Sequence, residues 1–175
     1  KEYGLKKPCI LIEPGRSIVG NSGTTLYTIG AIKDIPNVRK YVSVDGGMVD
    51  NIRPALYNAR YEAAIANRMK DGKDELVTIA GKCCESGDIL IRNIEIPKVK
   101  EGDILSIFST GAYGESMSSN YNRIPRPGAI FVSGGSCFEI SRRETYDEVI
   151  KNDVIPDKFI KKDGRKLCPD KCLKL

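Results

Sequence analysis

The sequence predicts a mainly β fold, a barrel or sandwich of Greek-key type with few short helices. Two observations carry that expectation. Seven short runs rich in β-branched and aromatic residues are separated by Gly, Pro, Asn or Asp turns at irregular, short spacing. Helical signals are sparse, and neither an internal repeat nor a low-complexity stretch interrupts the pattern. At 175 residues, with 41% hydrophobic and 29% charged side chains, the chain has the ordinary make-up of a globular domain. A chain of this size buries about 70% of its unfolded surface.

In chain order, Lys7-Pro8 leads into Cys9-Ile10-Leu11-Ile12, a continuous apolar run that reads as a buried parallel strand. Such a strand needs neighbours on both sides, so the chain reads as the C-terminal part of a longer protein. Residues 1–23 are then the remnant of a preceding domain, 24–155 a β-domain and 156–175 a basic tail. Glu13-Pro14-Gly15-Arg16 makes a turn, followed by predicted strands at Thr24–Ile32 and at Tyr41–Val44. Further strands are expected over Tyr61–Asn67, Glu75–Cys83, Gly87–Ile91, Asp103–Ser109 and Ala129–Gly134. The best helical signal is Thr145, placed to cap an acidic first turn, Asp147-Glu148, before Val149-Ile150.

Composition excludes several functions. The chain has no His, which removes the commonest general base and metal ligand and every Ser-His or Cys-His pair. Its net charge of +5 is modest and spread out, and the cluster from Lys158 to Lys166 is interrupted by Asp163 and Gly164, so a nucleic-acid surface is not expected. No apolar run approaches the ~18 residues of a membrane span, and no signal-peptide pattern opens the chain. A cytoplasmic protein is expected, with its six cysteines as reduced thiols. Cys168 and Cys172 form a C-x3-C pair that no second pair or His completes into a zinc site, so no metal is expected.

Four islands set reactive or charged residues beside Gly, where backbone can approach a ligand closely. They are Glu13-Pro14-Gly15-Arg16; Asp45-Gly46-Gly47 with Asn51-Ile52-Arg53-Pro54-Ala55-Leu56-Tyr57; Cys83-Cys84-Glu85-Ser86-Gly87-Asp88; and Gly111-Ala112-Tyr113-Gly114 with Ser118-Ser119-Asn120-Tyr121-Asn122. Each is weak alone. Arg53 also reads as a surface ion pair, Cys84 as a small buried hydrophobe and Tyr113 as a core aromatic. Arg53 and Tyr57 are four apart and share a face if that segment is a helical turn, offering a bidentate donor and a hydroxyl to one carboxylate.

Together, in this order and spacing, the islands resemble the fold-type III pyridoxal-phosphate decarboxylases from about Cys9 to about Ile150. Within that family they are most similar to the branch that converts meso-2,6-diaminopimelate to L-lysine. The resemblance implies an N-terminal (β/α)8 barrel that carries pyridoxal 5'-phosphate and a C-terminal β-domain that completes the site across a homodimer with shared active sites. It implies that Glu13 partners the cofactor's ring nitrogen, and that Gly15, Arg16 and Tyr113 lie near the cofactor, with Arg16 and Tyr113 also near the substrate. It implies that Arg53, Tyr57 and Glu85 bind substrate, and that Cys84 serves as a proton donor in the neighbouring subunit's site. An unperturbed thiol, with a pKa of about 8.5, is mostly protonated at neutral pH, as a general acid requires. The lysine that bonds the cofactor belongs to the barrel, so none of this chain's lysines is assigned to it and the chain alone is not expected to turn over. Two alternatives remain: a decarboxylase of ornithine, arginine or carboxynorspermidine, with Arg53 and Glu85 speaking against the first two, and a non-catalytic dimerisation or binding domain.

Overall fold

The computed structural model describes residues 3–4 and 7–160. The chain divides into two compact units, Lys1–Pro127 and Gly128–Leu175. In the first, α1 (Arg16–Val19) is followed by β1 (Thr24–Ile35), β2 (Arg39–Val44), α2 (Arg53–Tyr57), β3 (Ala63–Ile65), β4 (Glu75–Ala80), β5 (Ile89–Ile96) and β6 (Ile104–Phe108). These six strands form one sheet in the order β3-β6-β1-β2-β4-β5. All neighbours run antiparallel except the β2–β4 pair. The terminal strands β3 and β5 approach each other, so the sheet curls into a nearly closed barrel.

The core follows from strand alternation. Tyr27 and Ile29 of β1 and Val42 and Val44 of β2 point inward, two residues apart. A register shift between Ile29 and Ile32 bends β1 where the sheet curls. Val77 and Ile79 of β4, Leu90 and Ile96 of β5, and Leu105 and Ile107 of β6 close the same cluster.

One buried carboxylate pins the β3 end of this sheet. The predicted strand Tyr61–Asn67 is paired only over Ala63–Ile65, because the chain turns into a 3-10 helix at Ala66–Arg68. That turn carries Arg68 to Asp103, at 2.7 Å, where Asn67 Nδ2 (3.1 Å) and the Lys100 N–H (3.0 Å) also donate to the carboxylate. Burial alone would raise the Asp103 pKa. Arg68, the Lys100 N–H and Asn67 outweigh it and hold the carboxyl below its ordinary value. A depressed folded pKa contributes stability above the unfolded value of ~3.9, and that contribution disappears as pH falls through the folded value. Asp103→Ala should therefore cost about 2–4 kcal/mol at pH 7, because three donors lose their acceptor. The difference from wild type should shrink at pH 3 and below. Urea midpoints at pH 7 and pH 3 check both statements; a difference that grows on acidification would contradict them.

The second unit holds the antiparallel hairpin of β7 (Ala129–Ser133) and β8 (Ser136–Ser141), followed by α3 (Tyr146–Ile150). Thr145 caps α3 in a reciprocal box with Glu148. Arg142, at 2.6 Å, and the Thr145 N–H, at 2.7 Å, bring the Glu148 pKa down to about 2.

Among the described residues Cys9–Ile12 pairs with no strand, and Ile10, Leu11 and Ile12 are 77, 87 and 78% exposed; the neighbours expected for it belong to the preceding domain of which residues 1–23 read as a remnant. Two other sequence expectations need correction. β8 lies where no strand was expected. β4 stops at Ala80, and β5 runs on to Ile96, past the expected end at Ile91. The basic cluster beyond Ile160 and the Cys168/Cys172 pair lie outside the described residues. Among the described residues, Cys9, Cys83, Cys84 and Cys137 are free thiols. No described helix is long and apolar enough to cross a membrane.

Candidate active site

The β-strands bring the four islands together through backbone hydrogen bonds at the ends of β1, β2, β4 and β6. After β2, the Gly47 carbonyl accepts the N–H groups of Asp50 (3.0 Å) and Asn51 (3.1 Å), and Asp50 Oδ2 accepts the Gly47 N–H (3.0 Å). This tight turn delivers the chain to α2, which Pro54 favours near its first position and Asn58, in the left-handed conformation (φ 51°), ends. After β6, the Gly111 N–H donates to Gly20 O (3.0 Å) and the Thr110 N–H to Gly23 O (3.0 Å), tying the Tyr113 island to the segment that follows Arg16. The Ser119 N–H reaches Val49 O (3.0 Å), and the Cys84 N–H reaches Asn122 Oδ1 (2.8 Å).

A cavity of about 760 Å³ is the outcome on one side, and Glu13, Gly15, Arg16, Arg53 and Tyr57 all line it. α2 forms the helical turn that the Arg53/Tyr57 spacing predicts. The half-buried Arg53 guanidinium lies between two rings, 5.4 Å from the centroid of Tyr57 and 5.4 Å from that of Tyr113. Tyr113 reaches that position from a left-handed backbone (φ 65°), a conformation costly for an aromatic residue and held by the surrounding turn. Its hydroxyl stands against Gly15, where an added Cβ would lie 3.5 Å away. Arg16 and Arg53 form no ion pair with a described residue, so the surface ion pair read for Arg53 does not form among the described residues.

Glu13, expected at a strand end, sits in exposed coil ahead of α1. Tyr113 is 47% exposed and is no core aromatic. Arg60, which the sequence reading did not single out, lines the same cavity. Its only sequence signal is its place three residues after Tyr57. Three arginines and one acidic residue, Glu13, thus line the cavity, a charge set that suits a ligand carrying several anionic groups.

Cys84 and Glu85 do not line this cavity. They lie in the exposed loop between β4 and β5, where Glu85 Oε1 accepts the Gly87 N–H (3.0 Å) and the Glu85 N–H donates to Cys83 O (2.8 Å). Cys84 is exposed rather than a packed hydrophobe, whereas the neighbouring Cys83 is half-buried. Burial first, then the charge and hydrogen bond of Asp88, push the Cys83 thiol up to about 12.

Comparison with known proteins agrees with this geometry. Residues 17–111, more than half of the chain, match the family model described as pyridoxal-dependent decarboxylase, C-terminal sheet domain. The chain is 61% identical over 152 residues to diaminopimelate decarboxylase of Bacillus subtilis, covering 87% of this chain and 35% of the relative. It is 53% identical over 155 residues to that of Staphylococcus aureus, covering 88% and 37%. The crystal structure of diaminopimelate decarboxylase from M. jannaschii in complex with L-lysine superposes with a TM-score of 0.78 at 42% identity, over 83% of this chain and 33% of that one. The chain spans about a third of the length of these relatives. With the family's sheet domain matched in sequence and its fold matched in space, this chain belongs to the pyridoxal-dependent decarboxylases, as their C-terminal sheet domain.

Proposed function

We propose that the chain is the C-terminal part of a cytoplasmic diaminopimelate decarboxylase, which removes one carboxylate of meso-2,6-diaminopimelate to leave L-lysine and works as a homodimer with shared sites. The observation that carries this reading is Arg53, held between Tyr57 and Tyr113 with no described carboxylate to neutralise it, on a cavity that also holds Arg16 and Glu13. The names of the relatives supply the substrate.

The donor set fits pyridoxal phosphate, which carries a basic ring nitrogen and a phosphate: one carboxylate, Glu13, and a guanidinium, Arg16, border a cavity in which Gly15 leaves room beside the Tyr113 hydroxyl. When bound, this cofactor supplies the electron sink that lets an amino acid lose CO2. Glu13 would hold the ring nitrogen, and Arg16 and Tyr113 would hold the phosphate and the near end of the substrate. Arg53 and Tyr57 grip the distal carboxylate with a fork and a hydroxyl, and the flanking rings limit the guanidinium's rotation before substrate arrives. Cys84 and Glu85 do not line their own cavity and serve the site of a second copy. There Cys84 Sγ gives a proton to the carbon that CO2 leaves, and Glu85 faces the distal ammonium.

The full-length protein, incubated with pyridoxal phosphate, should bind it with a yellow absorbance and form one L-lysine and one CO2 per meso-diaminopimelate, while the present chain alone forms none. Release of putrescine from ornithine at a comparable rate would favour another basic amino-acid decarboxylase. A colourless preparation with no response to added cofactor would favour a binding module.

A further inference from the structure

Asp88 is buried (3% exposed), yet the reaction outlined above gives it no task. Its Oδ1 accepts the Met48 N–H at 2.6 Å and its Oδ2 the Cys83 N–H at 2.8 Å. One carboxylate therefore joins the turn after β2 to the loop after β4. Beside it the Lys82 N–H donates to Gly46 O (2.9 Å), joining the same two backbones, and the Gly81 N–H donates to Asp88 O (2.9 Å), closing the β4–β5 loop on itself. Gly47 and Gly81 press against the carboxylate so closely that a Cβ at either would collide with it, so nothing larger than glycine lets Asp88 sit where it does.

Each end of this bridge continues into a site residue. From Met48, the Gly47 turn passes through the buried Asn51 (2% exposed) directly into α2 and Arg53. From Cys83, the next residue is Cys84, whose N–H is fixed on Asn122. Burial and the charge of Asp88 push the Cys83 thiol up. The Met48 and Cys83 N–H groups give each carboxylate oxygen a donor, so Asp88 is tolerated at this depth without a cationic partner among the described residues.

We propose that Asp88 is a positioning residue that sets, through one carboxylate, both the arginine helix of its own site and the thiol loop offered to the neighbouring site. This rests on the shared-site reading above, in which Arg53 and Cys84 of one copy act in different sites. The bridge then couples the two sites of a dimer: what disturbs the diacid grip in one is felt by the proton donor in the other.

The test uses Asp88→Asn in full-length hybrid dimers. One copy carries Arg53→Ala and the other Cys84→Ala, which leaves a single complete site built from Arg53 of the second copy and Cys84 of the first. Asp88→Asn on the first copy, next to the working thiol, should lower kcat at least fivefold with little change in KM. On the second copy, next to the working arginine, it should raise KM at least fivefold. Equal effects from either side, or a lower melting temperature with kcat and KM unchanged, would reduce Asp88 to a structural role and overturn the proposal. Amide exchange gives a readout independent of activity: Met48 and Cys83 should exchange more than tenfold faster in Asp88→Asn while Val42 and Leu105 in the sheet stay unchanged. If that variant does not fold, the wild-type amides of Met48 and Cys83 should open as one unit at one rate, and independent rates would overturn the link. If the parent hybrid has no activity above its two homodimers, the shared-site reading fails, and exchange alone decides the bridge.

Discussion

Arg53→Ala in the full-length enzyme should lower kcat/KM for meso-diaminopimelate by more than tenfold, a loss of at least about 1.4 kcal/mol, while lysine analogues that lack the distal carboxylate should lose little. The direction follows from position. Arg53 borders the cavity between two tyrosine rings and pairs with no carboxylate among the described residues, so its guanidinium is available to a ligand and its orientation is set beforehand. A substrate without the distal carboxylate leaves that guanidinium desolvated and unpaired, which costs roughly 2–5 kcal/mol and discriminates against monoacids. Arg53→Lys should recover only part of the loss, since an ammonium keeps the charge and gives up the planar fork and the stacking. A loss under threefold for every substrate would show that Arg53 does not read the distal carboxylate.

Cys84→Ala should lower turnover far more than it raises KM, because proton donation is felt in the transition state and hardly at all in ground-state binding. The structure sharpens the expectation by separating the two adjacent thiols. Cys83 is half-buried and bound to Asp88, with its pKa pushed up to about 12, whereas Cys84 is exposed at the loop tip. Cys83→Ala should therefore leave the proton-donor step in place. Raised KM with unchanged turnover in Cys84→Ala would assign that residue to packing.

The first two strands were legible because Tyr27, Ile29, Val42 and Val44 alternate in the period of a half-buried strand. The helix at Tyr146–Ile150 was legible because Thr145 and Glu148 form a reciprocal cap whose spacing is visible in the residues themselves. Tyr61–Asn67 was read too long because its apolar residues carry no sign that Asp103, 35 residues beyond Arg68, draws that arginine into a 3-10 turn. β8 went unread although Gly134 and Gly135, both at positive φ (56° and 79°), are the turn residues a two-residue hairpin requires. Cys9–Ile12 reads as a buried strand from composition alone, but a strand exists only where neighbouring backbone pairs with it.

The candidate site divides in the same way. The four islands carry their chemistry in local residue order, and α2 realised the one geometric expectation that spacing could supply, Arg53 and Tyr57 on one face. What the sequence did not disclose are contacts between islands: the Tyr113 ring over Arg53, the Tyr113 hydroxyl against Gly15, and Asp88 bridging Met48 to Cys83. Each joins residues 35 or more positions apart through a turn whose course depends on the nearly closed sheet beneath it.

In the proposed dimer each catalytic site is assembled from two copies, with Arg53 and Cys84 of a single chain serving different sites. Co-folding full-length Cys84→Ala with a full-length variant lacking the cofactor-binding lysine tests this. Two proteins inactive by themselves should regain part of the wild-type turnover when mixed, up to the one complete site that each hybrid dimer contains. Hybrid dimers that form and remain inactive would contradict it.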